Sequence, residues 1–181
     1  MTPAAGLVLA AGQGRRFGQP KAPVVIDGER LVDRAVRVLR EGGCDPIVVV
    51  LGAWVGDVPE ADDLVINETW NEGMGSSLCA GLRHLLDSTT ATRVVVTLVD
   101  LPGLSGEAVA RLLTSTAELT AASYDGVRGH PVVINRNHWD PLMLTVTGDS
   151  GARRYLDQHD VTLTEVGDVA SGDDLDEPLA D

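Results

Sequence analysis

Short aliphatic runs alternate along the chain with segments of helical periodicity. Four of these runs are nearly continuous, with no polar residue at every second position, and they predict buried strands at residues 6–10, 47–51, 64–66 and 94–99. Continuous apolar strands are typical of a parallel sheet whose two faces are both covered by helices.

Apolar residues spaced three and four apart predict three helices between and after these strands. The apolar face of the first helix is formed by Leu31, Ala35, Val38 and Leu39, and that of the second by Leu78, Leu82, Leu85 and Leu86. The third helix is predicted at residues 105–113. We expect Gly42-Gly43 to end the first helix, Ser76 or Ser77 to cap the second, and Ser105 to cap the third. The alternation predicts an α/β fold with right-handed crossovers and helices on both faces of a mostly parallel sheet.

The pattern changes after about residue 119. Residues 119–124 and 131–134 predict two strands joined by a turn at 125–129, followed by a short helix at 151–158 and a strand at 161–166. The end of the chain, from about residue 167, is expected to be a loop or a partly disordered acidic tail. No linker or repeat divides the sequence, so residues 1–181 are expected to form one domain.

Composition and charge narrow the class of partner. Hydrophobic residues make up 44% of the chain and aromatic residues 3%, so the core must be aliphatic. The formal net charge of -13 argues against a nucleic-acid or membrane partner. Residues 1–42 nevertheless carry seven basic and four acidic residues, which suits a small anionic ligand. Neither the spacing of Cys44 and Cys79 nor any apolar run indicates a zinc site, a signal peptide or a membrane span, and a cytoplasmic location is expected.

A glycine-rich loop with three cations directly follows the first predicted strand. Its members are Gly12, Gly14, Gly18, Arg15, Arg16 and Lys21. Glycines at this place let backbone N–H groups approach phosphate oxygens closely, and the three cations favour a triphosphate or a leaving pyrophosphate. Lys21 is the only lysine among 14 basic residues, which indicates that a compact ammonium group is needed there.

Polar residues follow two further predicted strands. Asp100 ends the fourth strand, at the edge where parallel sheets bind ligands, and one carboxylate with phosphate oxygens is a common way to hold Mg²⁺. Asp100 as a simple turn residue before Pro102 is the alternative. A second metal ligand could come from Asp173, Asp174 or Asp176. The loop at residues 67–77 could hold a base and ribose, whereas helix capping by its serines is the structural alternative.

A third polar region carries His130 and, further on, the run at residues 148–153. His130 precedes a proline and is therefore expected to be extended, facing an acceptor substrate. A purely structural role for His130 is the alternative.

Taken together, these motifs resemble the MobA/MocA-like nucleotidyltransferases, which attach a nucleotide to the molybdenum cofactor. Five motifs occur in family order: Leu-Ala-Ala-Gly-x-Gly-x-Arg-x-Gly-x-x-Lys at 9–21, Trp-x-x-Gly-Met-x-Ser-Ser-Leu at 70–78, Asp-x-Pro at 100–102, Gly-His-Pro at 129–131 and Gly-Asp-x-Gly-Ala-Arg at 148–153. With Ala11, the first motif resembles the cytidylyltransferase branch of the family, because the guanylyltransferase branch tends to have Gly at this position.

The resemblance implies a Rossmann-like nucleotidyltransferase fold and a role for each matching residue. It implies nucleotide binding by Leu9, Ala10, Ala11, Gly12, Gly14, Arg16, Lys21, Asn67, Gly75, Ser76, Ser77 and Asp100. Within that set Lys21, Arg16 and Asp100 would be catalytic, and Asp100 with Asp176 would hold Mg²⁺. His130, Asp149 and Arg153 would bind a phosphorylated, pterin-type acceptor, and a recipient molybdoenzyme or its chaperone would be a further partner.

Other functions stay open at the level of sequence. Leu101 stands where cofactor cytidylyltransferases commonly have Gln, which leaves room for a different acceptor. A guanylyltransferase, a nucleotide-sugar pyrophosphorylase and a non-catalytic chaperone that binds nucleotide or cofactor are the alternatives, and a flavin or nicotinamide oxidoreductase fits the cationic loop less well.

Overall fold

A computed structural model describes residues 4–146 and 148–176. Its main sheet has seven strands: β1 Ala4–Ala10, β4 Ile47–Leu51, β5 Asp63–Ile66, β6 Arg93–Leu98, β7 Leu119–Tyr124, β8 Val127–Asn135 and β9 Thr162–Glu165. A separate two-stranded hairpin is formed by β2 Val25–Ile26 and β3 Glu29–Arg30. The helices are α1 Leu31–Glu41, α2 Met74–Ser88, α3 Gly106–Leu113, α4 Trp139–Thr145 and α5 Arg153–Asp157.

The sheet is mostly parallel, as the continuous apolar runs predict. Its strand order is β5-β4-β1-β6-β8-β7-β9, and only β8 runs antiparallel to its neighbours. β1 lies between β4 and β6 and pairs in parallel with both, and all seven of its residues are buried. The carboxyl ends of β1, β4 and β6 therefore meet at one edge of the sheet, where the candidate chemical groups follow.

Helices cover both faces of this sheet. Alternate residues of β1 point to opposite sides, so that Val8 joins the core beneath α1 and α3 while Leu7 joins the core beneath α2, α4 and α5. Both cores are built mainly from Val, Leu, Ile and Ala. The arrangement confirms the predicted Rossmann-like α/β class with helices on two faces.

Strand β5 differs from its prediction as a buried strand. Leu64 is 40% exposed and Ile66 is 47% exposed, whereas Val65 packs against the core beneath α2. The reason is position: β5 is the edge strand next to β4, and only one of its faces is covered.

Two local predictions are corrected, and one helix was not predicted. α2 begins at Met74 with Gly73 at its N-cap, and Ser76 and Ser77 lie inside its first turn rather than at the cap. The turn between β7 and β8 is shorter than predicted, because Asp125 and Gly126 both take positive φ and the chain re-enters the sheet at Val127. α4 was not predicted; Trp139 and Leu142 bury its inner face, too few apolar positions for a clear period.

The last described segment, residues 167–176, packs against the rest of the chain. Ser105 caps α3 as predicted, by accepting a hydrogen bond from the Ala108 N–H. Residues 167–176 form neither helix nor strand, yet Leu175 is buried in the core beneath α1 and α3. No helix of residues 4–146 or 148–176 combines the length and the apolar character that crossing a bilayer requires.

Candidate nucleotide and metal site

The glycine loop after β1 is shaped by Gly14. Its φ is +63°, and a Cβ at this position would lie 1.9 Å from the carbonyl oxygen of Gln19, so no other residue fits. The Gly18 N–H also donates to the Gly14 carbonyl at 2.8 Å. This tight turn carries the chain back across the sheet edge and places Lys21 beside the end of β6.

Lys21 and Asp100 form a partly buried ion pair at that edge. Lys21 Nζ lies 2.8 Å from Asp100 Oδ2 and 3.6 Å from Asp176 Oδ1. The side chains of Lys21 and Asp100 are only 13% and 19% exposed. The other oxygen, Asp100 Oδ1, is buried and accepts no hydrogen bond from any residue that the structure describes. A buried carboxylate oxygen without a donor is well suited to a cation.

A cavity of about 400 Å³ opens beside this pair. It lies between the glycine loop, the end of β6, the turn at Trp70–Glu72 and the start of α2. The residues that line it are Leu9, Gly12, Gln13, Gly14, Arg15, Lys21, Trp70, Asn71, Glu72, Gly73, Met74, Ser77, Leu98, Val99, Asp100 and Asp149. Its size and its mixture of apolar walls with a few charged groups are typical of small-molecule sites.

Arg15 and Arg16 occupy different positions from those the sequence emphasised. Arg15 lines the cavity. The Arg16 side chain is 81% exposed, does not line the cavity and pairs with Asp176 at 3.0 Å. Arg16 is the arginine that the motif carries, and two adjacent arginines in a loop do not reveal from sequence which side chain points inward.

Asn67 also differs from its predicted role. It is buried and does not line the cavity. Its side-chain amide donates to the hydroxyls of Ser76 and Ser77, at 2.8 and 2.9 Å, and its carbonyl accepts from Thr69. Of the four predicted residues in this loop only Ser77 lines the cavity, and Asn67, Gly75 and Ser76 do not.

Asp149 reaches the site through close contact with Gly73. A Cβ at Gly73, which has φ +108°, would lie 2.7 Å from Asp149 Oδ1 and 2.5 Å from the carbonyl carbon of Gly148. The turn at Gly148–Ser150 therefore packs directly on the start of α2, and Asp149 lines the cavity.

Neither His130 nor Arg153 lines the cavity. His130 is extended within β8, as predicted, and its carbonyl accepts a hydrogen bond from Tyr124 at 2.8 Å. Burial lowers the pKa of His130; the Asp100 carboxylate opposes this shift, and the positive charges of Arg153 and Arg128 add to it. The lowered pKa favours the neutral imidazole of His130, which lies close enough to Asp100 and Arg153 to be influenced by their charges.

The carboxylates near Lys21 repel one another. Burial, together with the charges of Asp100 and Asp176, raises the pKa of Asp174, while Lys21 and Arg16 oppose the rise. No group of three or more His, Cys, Asp or Glu side chains within residues 4–146 and 148–176 is arranged to hold a metal. The carboxylates of Asp100 and Asp176, which both lie near Lys21 Nζ, fit a hard divalent cation that takes its remaining ligands from phosphate oxygens and water.

The family profile described as "MobA-like NTP transferase domain" matches residues 6–163. The chain belongs to this family. A relative named nicotine blue oxidoreductase, from Paenarthrobacter nicotinovorans, is 38% identical over 94% of this chain and 91% of its own length. A probable molybdenum cofactor guanylyltransferase from Opitutus terrae is 35% identical over 55% of this chain and 49% of its own length.

Solved structures agree with the MobA-like assignment. A mycobacterial protein from strain JC1, the homologue of Rv0371c of Mycobacterium tuberculosis, has a TM-score of 0.79 at 28% identity, covering 96% of this chain and 90% of its own. Rv0371c itself has been solved with manganese, with a TM-score of 0.70 at 23% identity over 91% of this chain and 89% of its own. The likeness to the manganese complex is one of fold. The resemblance read from the five motifs is confirmed, and the chain is a MobA-like nucleotidyltransferase.

Proposed function

We propose that this MobA-like protein transfers CMP from CTP to a phosphate-bearing acceptor, of the molybdopterin type, and releases pyrophosphate. The observation that carries the proposal is the Lys21–Asp100 pair, with its buried free oxygen, beside a cavity of nucleotide size. An oxygen of the acceptor phosphate attacks the α-phosphorus of CTP, a phosphoanhydride bond forms, and the bond to the β-phosphate oxygen breaks.

Each residue in the site has a proposed task in this reaction. Lys21 and Arg15 face the cavity and stabilise negative charge on the leaving pyrophosphate, with Arg16 at the rim. Asp100 and Asp176 would hold Mg²⁺, which when bound neutralises phosphate charge. The glycine loop and Ser77 position the nucleotide, and His130, Asp149 and Arg153 surround the place of the acceptor.

The base and the metal are the finer parts of this proposal. Ala11 favours CTP through the resemblance to the cytidylyl branch, whereas the Opitutus relative is named for guanylyl transfer. The manganese complex of Rv0371c supports a divalent cation without selecting Mg²⁺.

Pyrophosphate release from each of the four nucleoside triphosphates, with Mg²⁺ or Mn²⁺ and a panel of phosphorylated acceptors, tests the proposal. We expect CTP to react at least about tenfold faster than GTP, a difference worth ~1.4 kcal/mol. Faster reaction with GTP would overturn the choice of CTP but leave the proposed nucleotidyl transfer unchanged. No pyrophosphate from any pair, with the nucleotide bound, would favour the binding-chaperone alternative.

A second candidate is electron transfer, favoured by the 38% identity with nicotine blue oxidoreductase over nearly the whole chain. The same cationic loop could hold the phosphates of a nicotinamide dinucleotide. The decisive measurement is the oxidation of NADH and NADPH, followed at their own absorbance, with nicotine blue as acceptor. The transferase proposal would be replaced if the protein oxidises NADH or NADPH, if Lys21→Ala abolishes that oxidation, and if no nucleotide gives pyrophosphate.

A further inference from the structure

The hydrogen bonds of Asn67 fix the direction of the Ser77 hydroxyl. The Thr69 backbone N–H, which can only donate, lies 3.0 Å from one side-chain atom of Asn67, so that atom must be the carbonyl oxygen. The amide group of Asn67 therefore faces α2, where it donates to Ser76 Oγ at 2.8 Å and to Ser77 Oγ at 2.9 Å.

All the hydrogen-bonding capacity of the Asn67 side chain is used inside the protein. Both amide protons go to serine hydroxyls, and the carbonyl oxygen accepts from the N–H and the hydroxyl of Thr69. Asn67 is also 6% exposed and absent from the cavity wall. It therefore has no free group with which to touch a nucleotide.

The two serines differ in what remains free. Ser76 accepts from Asn67, and its own hydroxyl donates to the carbonyl oxygens of Gly73 and Thr69, at 2.8 and 3.0 Å. Ser77 also accepts from Asn67, but no acceptor in the described part of the chain takes its proton. Ser77 lines the cavity and is 4% exposed. A buried hydroxyl whose proton has no internal acceptor offers that proton to whatever occupies the cavity.

We infer that Asn67 is a positioning residue that makes Ser77 a hydrogen-bond donor to the nucleotide, so that the nucleotide atom at Ser77 is an acceptor. The inference rests on the proposed function, since it needs a nucleotide in this cavity. It replaces the direct nucleotide contact that the sequence predicted for Asn67. Specificity at Ser77 would come from the direction of its hydrogen bond, because a hydroxyl that donates into the cavity discriminates against any ligand that presents a donor there.

Isothermal calorimetry on four variants tests this, with the nucleoside triphosphate that the wild type binds most tightly. Ser77→Ala removes the donor and should weaken binding about tenfold, the size of one hydrogen bond. Asn67→Asp keeps the shape but can only accept, so it should draw the Ser77 proton away from the cavity and weaken binding at least as much. In the double variant the effect of Asn67→Asp should disappear. Ser88→Ala, at the far end of α2, should bind like the wild type.

The double variant separates polarity from charge. A carboxylate at position 67 also repels phosphate, but that repulsion would persist in the Ser77→Ala background, whereas an effect through Ser77 would not. Lowering the pH protonates the carboxylate at position 67, which can then donate again, so the affinity ratio of wild type to Asn67→Asp should approach one in acid. The same recovery should be absent in the double variant.

Three results would overturn the inference. They are unchanged binding in Ser77→Ala, an equal loss for Asn67→Asp in both backgrounds, and a loss in Ser88→Ala that matches the loss in Ser77→Ala. Ser77→Ala removes a single oxygen, so it keeps the test valid even where Asn67→Asp does not fold. Absence of nucleotide binding by the wild type would overturn the proposed function, and this inference with it.

Discussion

A lysine suits position 21 better than an arginine because of what lies around its ammonium group. Nζ is a single point of charge 2.8 Å from Asp100 and 3.6 Å from Asp176. A planar guanidinium fork at this position would extend beyond the two carboxylates and into the cavity. The bias of the sequence towards arginine thus pointed to a position where the two nearby carboxylates favour a compact ammonium group.

Lys21→Ala is expected to lower the rate of pyrophosphate release about 10²–10³-fold, the usual effect of losing one electrostatic donor to the transition state. Lys21→Arg should recover only part of that loss, because the fork cannot occupy the same point. Arg83→Ala, on the exposed side of α2, is the control and should react like the wild type. Near-normal turnover in Lys21→Ala would contradict the leaving-group role.

The same variant tests the metal site without an activity assay. Removing the ammonium leaves Asp100 and Asp176 without their shared cation, and their repulsion should be relieved by a divalent ion. Mg²⁺ or Mn²⁺ should therefore raise the Tm of Lys21→Ala more than that of the wild type. Thermal unfolding of both proteins with and without the ion measures this. An equal rise in both proteins would place the ion elsewhere.

Single residues were predicted best where a motif and a strand end coincide. Lys21 and Asp100 were both expected at the site, and the structure brings them together. That Arg15 lines the cavity while Arg16 and Asn67 do not was not foreseen, because the direction of a loop side chain depends on neighbours distant in sequence. The placement of these groups is now known, whereas their roles in binding and catalysis stay predictions.

Among the elements, α2 packs unusually close to the sheet. A Cβ at Gly81 would lie 2.5 Å from Leu7 Cδ1 and 3.0 Å from Val50 Cγ2. Gly81→Ala should therefore overpack the core beneath α2 and lower the free energy of unfolding by about 1–3 kcal/mol, although Ala is the better helix former. Urea denaturation measures this, with Ser88→Ala in the same helix as the control. Unchanged or increased stability would show that α2 can move away from β1.

The hairpin of β7 and β8 depends on a carboxylate from another strand. The Ser123 hydroxyl and the N–H groups of Gly126, Asp125 and Gly167 all donate to Glu165, and they hold the pKa of Glu165 below its ordinary value, with burial partly opposing them. Glu165 of β9 thereby stabilises the turn between β7 and β8. The sequence predicted a longer turn there, because nothing within residues 125–129 reveals that Glu165 is its partner.

Glu165→Gln should lower the Tm at pH 7, because its NH₂ group cannot accept the bonds that one carboxylate oxygen takes. A carboxyl with a lowered folded pKa stabilises the protein above its unfolded pKa of about 4.3, and that contribution is lost as the pH falls through the folded value. The difference in Tm between wild type and variant should therefore be largest at pH 7 and should become smaller below about pH 4. Glu60→Gln, an exposed glutamate, is the control. A difference that does not change with pH would exclude the charge as its cause.

At the scale of the whole molecule, the class of fold could be predicted but the strand order could not. Continuous apolar runs indicate a covered parallel sheet, yet they do not reveal that β8 runs antiparallel beside β6 or that β5 and β9 form the two edges. Those pairings join segments far apart in sequence, and no local pattern encodes them. That residues 1–181 form a single domain stays a prediction.

The end of the described chain completes the site, although its acidic composition suggested a tail. The Leu175 N–H donates to the Asp100 carbonyl at 2.9 Å, and its side chain is 8% exposed in the core beneath α1 and α3. The next residue, Asp176, bridges Arg16 and Lys21 of the glycine loop.

Leu175→Ala should therefore affect both stability and the metal. Losing most of a buried leucine should lower the free energy of unfolding by about 2 kcal/mol, which in a chain of this size corresponds to roughly 4–8 °C in Tm. Because the segment that carries Asp176 is then held less firmly, half-maximal activity should also need a higher Mg²⁺ concentration. Leu144→Ala makes the same substitution at an 87% exposed position and should change neither quantity. If Leu175→Ala loses stability while its Mg²⁺ requirement stays that of the wild type, Asp100 holds the ion without Asp176.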